Sequence, residues 1–234
     1  MRLDKYISEQ LNVSRSDAKD MIRRGRIAVN GEKISRPEFH IEPETDRAEA
    51  DGKPVNYREF VYIMLNKPRG VVCAVRDELS PTVISLIPPE LRRRKLFPAG
   101  RLDKDTEGFV FITDDGALCH RIISPASHVE KLYYAELEHE ADESYIKAFK
   151  DGMTIDGGEK CLPAEIKLLE EKNKVMITLR EGKYHQVRRM ISAMGNSVVF
   201  LKRLSIGGIT LDPSLKPGEC REILHKELDL LYAK

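Results

Sequence analysis

Four cysteines in 234 residues, at positions 73, 119, 161 and 220, form no Cys-x-x-Cys pair. That spacing excludes a disulfide framework or a zinc ribbon and fits a reducing cytosol. Long hydrophobic runs are also missing: no stretch approaches the ~20 apolar residues of a membrane span. The start, Met1-Arg2-Leu3-Asp4-Lys5, has no apolar signal core. A cytoplasmic chain with no membrane partner is therefore expected. Nor is there an excess of one charge, with 39 Lys and Arg against 38 Asp and Glu. Any nucleic-acid contact must then come from local patches. Internal repeats and low-complexity segments are absent. What is present is a 41% apolar composition, enough for a buried core, in a length that suits one large or two smaller domains.

Residues 1–35 read as a compact unit of two helices and a hairpin. Leu3, Tyr6, Ile7 and Leu11 share one helical face. Ser14 reads as an N-cap, with Asp17 completing a capping-box-like pair. Ala18, Met21 and Ile22 form the next apolar face, and Gly25 closes that helix in the left-handed region. Ile27 to Ile34 is a hairpin turning at Asn30-Gly31. Arg15, Lys19, Arg23, Arg24 and Arg26 run along and beyond the second helix, where spacings of three and four make neighbours. Residues 1–35 carry eight basic and five acidic residues, a weak excess that residues 36–60 reverse with four and seven.

Pro37, Pro43, Gly52 and Pro54 mark a short strand or two and a linker. The boundary is set between residues 1–59 and 60–234. Beyond it, strands are expected at 61–66, 70–75, 109–113, 132–138, 174–180, 198–203 and 208–211, and helices at 82–87, 116–123, 142–151 and 185–194. This order is neither a βαβ alternation nor an all-β meander, so the fold class is α+β, with a mixed or antiparallel sheet and flanking helices.

The densest chemistry lies in Pro98-Ala99-Gly100-Arg101-Leu102-Asp103-Lys104-Asp105-Thr106-Glu107-Gly108, between two apolar runs that read as strands. Three carboxylates so close to buried strands need partners, because an unpaired buried charge is costly. Three further segments stand in order around it: Asn66-Lys67-Pro68-Arg69-Gly70, Lys131-Leu132-Tyr133, and Arg180-Glu181-Gly182-Lys183-Tyr184-His185-Gln186-Val187-Arg188-Arg189-Met190. Together the four resemble the motifs of the pseudouridine synthases. Residues 1–35 are similar to the S4 RNA-binding domain. With His-Gln-Val-Arg-Arg-Met and Ile206-Gly207-Gly208-Ile209, the likeness extends to the family's ribosomal small-subunit pseudouridine synthase A branch and covers nearly the whole chain.

The resemblance implies isomerisation of a uridine in 16S ribosomal RNA, with no cofactor, because the reaction needs neither a redox step nor external energy. It makes Asp103 the nucleophile, Arg188 the basic residue paired with it, and Tyr133 the ring stacked on uracil, a role suited to a flat apolar face with a hydroxyl. Arg189 points roughly 100° away around the helix and cannot share the role of Arg188. Arg101 would fill the gap left by a flipped nucleotide, or else pair with Asp105 or Glu107. RNA contacts are implied at Arg15, Lys19, Arg23, Arg24 and Arg26 of the basic helix, and at Lys67, Arg101, Lys131, Lys183, His185 and Gln186 of the motifs. The partner implied is small-subunit rRNA, bound by a monomer since no apolar dimer stripe is evident.

Other readings are weaker. Asp103, Asp105 and Glu107 mimic a calcium loop, but a strand follows at once and the fifth and closing ligands are of the wrong type. His120, His128 and His185 have no metal-ligand spacing, so no metal is expected. A large-subunit rRNA enzyme of the same family and a non-catalytic ribosome-assembly factor remain as alternatives.

Overall fold

The structure is a computed structural model that describes residues 1–93 and 95–232. Its contacts divide the chain into two units, Met1–Val61 with Pro88–Leu96, and Tyr62–Ile87 with Phe97–Lys234. Among the described residues no helix is long and apolar enough to cross a membrane.

In the first unit, α1 (Leu3–Gln10) and α2 (Arg15–Arg23) pack on a four-stranded antiparallel sheet. The Ser14 hydroxyl accepts from the Asp17 amide at 3.0 Å and the Asp17 carboxylate accepts from the Ser14 amide at 3.2 Å, closing the expected capping box. The hairpin joins β1 (Ile27–Val29) to β2 (Glu32–Lys33) through Asn30 and Gly31, both at positive φ, as a type I′ turn requires. β3 (Ala48–Ala50) and β4 (Lys53–Val55) complete the order β2-β1-β3-β4. Leu3, Tyr6, Ile7, Ala18, Ile22, Ile27 and Ile41 form the core. The Tyr6 hydroxyl, taken inside with its ring, donates to the Val55 carbonyl at 2.8 Å.

The second unit is built on β5 (Tyr62–Lys67), β6 (Phe97–Pro98), β7 (Glu107–Thr113), β8 (Lys131–Leu137), β11 (Glu165–Leu168), β12 (Lys174–Leu179), β13 (Val198–Ile206), β14 (Ile209–Thr210) and β15 (Cys220–Glu222). They form one sheet in the order β11-β12-β8-β13-β7-β5-β15, with β14 on β13 and β6 on β7. Among the described residues of this sheet only β13 and β7 run parallel as strands; the other pairs are antiparallel, which makes the sheet mixed. A small hairpin, β9 (Thr154–Ile155) and β10 (Glu159–Lys160), stands apart. The helices are α3 (Gly116–Ile123), α4 (Glu143–Asp151), α5 (Gln186–Ala193) and the short α6 (His225–Leu228). All six residues of β5 are buried, whereas β12 alternates, the mark of a strand covered on both faces against one covered on a single face.

Two expectations fail. Residues 70–75 are not a strand: Gly70, at positive φ, gives its amide to the Lys104 carbonyl at 2.8 Å, and Val72 makes only an isolated bridge to Thr82. Val71 and Cys73 are buried there without joining a ladder, and Val75 is exposed. Residues 82–87 are a single 3-10 turn, Val83–Leu86, capped by Thr82. The short edge strands β11 and β15 went unread because they are rich in charge and one side of each is unpaired.

Candidate active site

The loop between β6 and β7 is held from below by Lys67. Its ammonium donates to the carbonyls of Pro68, Lys104 and Thr106 at 3.1, 3.2 and 2.7 Å. Burial pushes the Lys67 amine below its ordinary value, partly offset by the Cys73 thiol and the nearby acids. This corrects the expectation that Lys67 touches RNA: the side chain is 0% exposed. Gly108 ends the loop at φ +101, where a Cβ would collide with the Arg203 backbone carbonyl. The Leu102 amide donates to the Cys73 sulfur at 3.3 Å, which fixes the residue before Asp103.

Asp103 faces the start of α5. His185 Nε2 lies 3.4 Å from Asp103 Oδ1. Arg188 Nε lies 4.0 Å from Asp103 Oδ2, the outer limit of an ion pair, while its Nη2 donates to Asp105 at 2.7 Å and its Nη1 to the Val198 carbonyl at 2.9 Å. The expected pairing of Arg188 with Asp103 is thus the weaker of two, and Asp105 takes the direct hydrogen bond. Arg188 Nε is buried and has no hydrogen-bond partner. Arg189 turns away, as its helical position requires, onto Asp156 and Glu159.

The turn before α5 is locked by its own side chains. Gln186 accepts from the Lys183 amide at 2.9 Å and donates to Glu181 at 2.7 Å. At 4% exposed and engaged at both ends, it holds the turn, which corrects its placement as an RNA contact. Lys183 pairs with Glu159 at 3.1 Å and Glu181 at 3.6 Å. His185 adopts φ +50 and stacks on the exposed Tyr184 ring at 3.8 Å.

Tyr133 of β8 lines the same cleft, a space of about 720 Å³ reached also by Arg101, Asp103, His185 and Arg188. Arg101 is exposed and has no ion pair among the described residues; Asp105 is taken by Arg188, and Glu107 lies 3.5 Å from Arg69. Lys131 lies on the same face of β8 as Tyr133, two residues away, and also reaches the cleft. Burial, helped by Arg203, lowers its amine to about 8. Arg203 itself was not singled out from the sequence. Its sign there is faint: a cation at the inward position of the alternating strand β13.

On the first unit, the basic row is mostly engaged. Arg15 reaches Asp4 at 3.2 Å, Arg26 reaches Asp51 at 2.5 Å, and Arg23 lies 3.7 Å from Asp20. Lys19 and Arg24 have no ion pair among the described residues.

Residues 61–193 match the RNA pseudouridylate synthase family and residues 1–46 the S4 domain. The chain is similar to the uncharacterized RNA pseudouridine synthase YtzG of Bacillus subtilis (strain 168), 46% identical over 99% of this chain and 98% of that one. It is 45% identical to the ribosomal small subunit pseudouridine synthase A of Escherichia coli (strain K12), over 97% and 98% of the two chains. A crystal structure of a pseudouridylate synthase, 39% identical, superposes with a TM-score of 0.69 over 99% of both chains.

Proposed function

The chain belongs to the RNA pseudouridylate synthase family, and on that premise we propose that it converts one uridine of small-subunit ribosomal RNA to pseudouridine with Asp103 as the nucleophile. The observation that carries this reading is the convergence of Asp103, Tyr133 and Arg188, from three distant segments, on one cleft. The reaction breaks the bond from C1′ to N1 of the base and joins C1′ to C5. A carboxylate can hold the sugar or the ring covalently while the base turns, as carboxylates do in retaining glycosidases. It must be ionised to attack. Arg188, in reach of both Asp103 and Asp105, places a positive charge beside the attacking carboxylate.

Tyr133 offers its ring to the uracil from the floor of the cleft. The target must leave its helix for its atoms to reach Asp103, and the exposed Arg101 stands at the cleft to take the vacated space. The S4 unit would hold the RNA by phosphate contacts, Lys19 and Arg24 being the cations of the basic row with no ion pair among the described residues.

The test is release of tritium from C5-labelled small-subunit rRNA, naked and partly assembled, by wild type and Asp103→Asn. Release by wild type and a loss of at least about a thousandfold in the variant are expected. Release only from large-subunit RNA would move the substrate to that subunit. Binding without release from either would leave an assembly factor.

A further inference from the structure

Lys131 and Arg203 have no part in the reaction as described so far, yet both reach the cleft. Arg203 sits on β13 directly across from Tyr133 of β8. It is 2% exposed, spends its Nε on the Phe109 carbonyl at 2.8 Å, and leaves Nη2 with no hydrogen-bond partner. Lys131, partly buried, gives one hydrogen to the Val129 carbonyl at 2.8 Å, and an ammonium has three. Both residues line the cleft. The charged groups that reach this space from other elements are Arg101, Asp103 and Lys104 of the loop, and Lys183, His185 and Arg188 around the start of α5. Among the described residues none of the acids lies within ion-pair distance of Lys131 or Arg203. Two cations thus share the interior of one cleft with backbone carbonyls in place of counter-ions. Such an arrangement is costly in isolation and becomes favourable when a ligand brings negative charge.

We propose that Lys131 is a further catalytic residue, which holds the negative charge that develops on a carbonyl oxygen of the target uracil, and that Arg203 is the positioning residue behind it. The inference rests on the pseudouridine synthase reading above. When the C1′–N1 bond breaks, its electron pair stays with the base and spreads over N1 and the two carbonyl oxygens. If the carboxylate instead adds to the ring, the charge gathers on a carbonyl oxygen as an enolate. Either route therefore creates an anion on the base beside Tyr133. As the C5–C1′ bond forms, the C5 proton leaves and N1 gains one, so the charge is transient. A fixed cation in a partly dry site stabilises it more than water does. A backbone phosphate is the rival anion, and because it is charged before and during the reaction its loss would lower affinity and rate together. The depressed Lys131 amine, at about 8, remains mostly charged at neutral pH.

The experiment is single-turnover tritium release between pH 6.5 and 9 by the full chain, with RNA affinity measured in parallel. Lys131→Met should lose about a hundredfold in rate with affinity within about twofold. The wild-type rate should fall above about pH 8, and Lys131→Arg should keep activity without that fall. Arg203→Met should move the fall to higher pH by removing a repelling charge; Arg203→Lys, which keeps the charge, should leave it in place and serves if the first variant does not fold. Three results overturn the proposal: a Lys131→Met rate within about threefold of wild type, a loss of affinity equal to the loss of rate, or a wild-type rate that rises through pH 8, which would make the lysine a base. A wild type inert on every rRNA overturns the underlying reading as well, whereas an active wild type with an indifferent Lys131 overturns this inference alone.

Discussion

The ion pairs of the first unit and three cations in or near the cleft of the second are held in opposite ways. In the first, Arg2 and Arg15 close on the buried Asp4 at 3.0 and 3.2 Å, and Arg26 closes on Asp51. These charges are cancelled by acids of the same unit. In the second, Lys67, Lys131 and Arg203 are held by backbone carbonyls. A carbonyl satisfies a donor without neutralising it. The first arrangement secures a fold; in the second, Lys67 secures a loop, while Lys131 and Arg203 carry uncancelled positive charge into the cleft. Arg188 combines the two, with one nitrogen on Asp105, one on a carbonyl and a third facing Asp103.

Breaking the carbonyl-held set should cost most. Lys67→Met strips three carbonyls of their donor and should lower stability by about 3 kcal/mol, read from urea unfolding, with turnover falling as the loop loosens. Arg188→Met should reduce single-turnover release about a hundredfold, and Asp105→Asn should reduce it less, since Asp105 orients the arginine without facing the reaction. If Asp105→Asn is the more damaging, Asp105 does more than orient. Removing an acid-held pair should cost less: Asp4→Asn should destabilise the first unit by about 2 kcal/mol, measured by hydrogen exchange of α1 amides.

The pH dependence of that pair sharpens the contrast. Hydrogen bonds from Arg2, and then from Arg15, outweigh burial and hold the Asp4 carboxyl at about 2, against 3.8 for an ordinary aspartate. A depressed carboxylate stabilises the folded state above the unfolded value, so its contribution is present above about 3.8 and is lost as pH falls through about 2. Asp4→Asn should flatten that acid slope. The smallest effect belongs to the unpaired surface cations. Lys19→Ala and Arg24→Ala should each lower the salt dependence of RNA binding by about one unit of slope and leave urea midpoints unchanged.

How much could be read in advance differs by residue. Asp103, Tyr133 and Arg188 stand in motifs recognisable by their neighbours, and the structure brings all three to one cleft. Lys67 and Gln186 stand in the same motifs, and a motif does not say whether a polar side chain points to a ligand or into the scaffold. Both turned inward. Residues 70–75 carry the apolar pattern of a strand, yet the Pro68-Arg69-Gly70 turn leads the chain out of the sheet and onto the Lys104 loop.

What the sequence determined by itself is local. The Ser14–Asp17 box joins residues three apart, the Asn30-Gly31 turn needs only its own two positive φ angles, and the alternation of β12 follows from the pleat. Tertiary structure alone decided where the charges settle. Arg188 meets Asp105 across 83 positions of the chain, and Arg203 reaches the Phe109 carbonyl across 94. No window of sequence contains both partners of such a contact. It exists because β13 lies parallel to β7 and antiparallel to β8, a pairing that the whole sheet must form before any one residue finds its place.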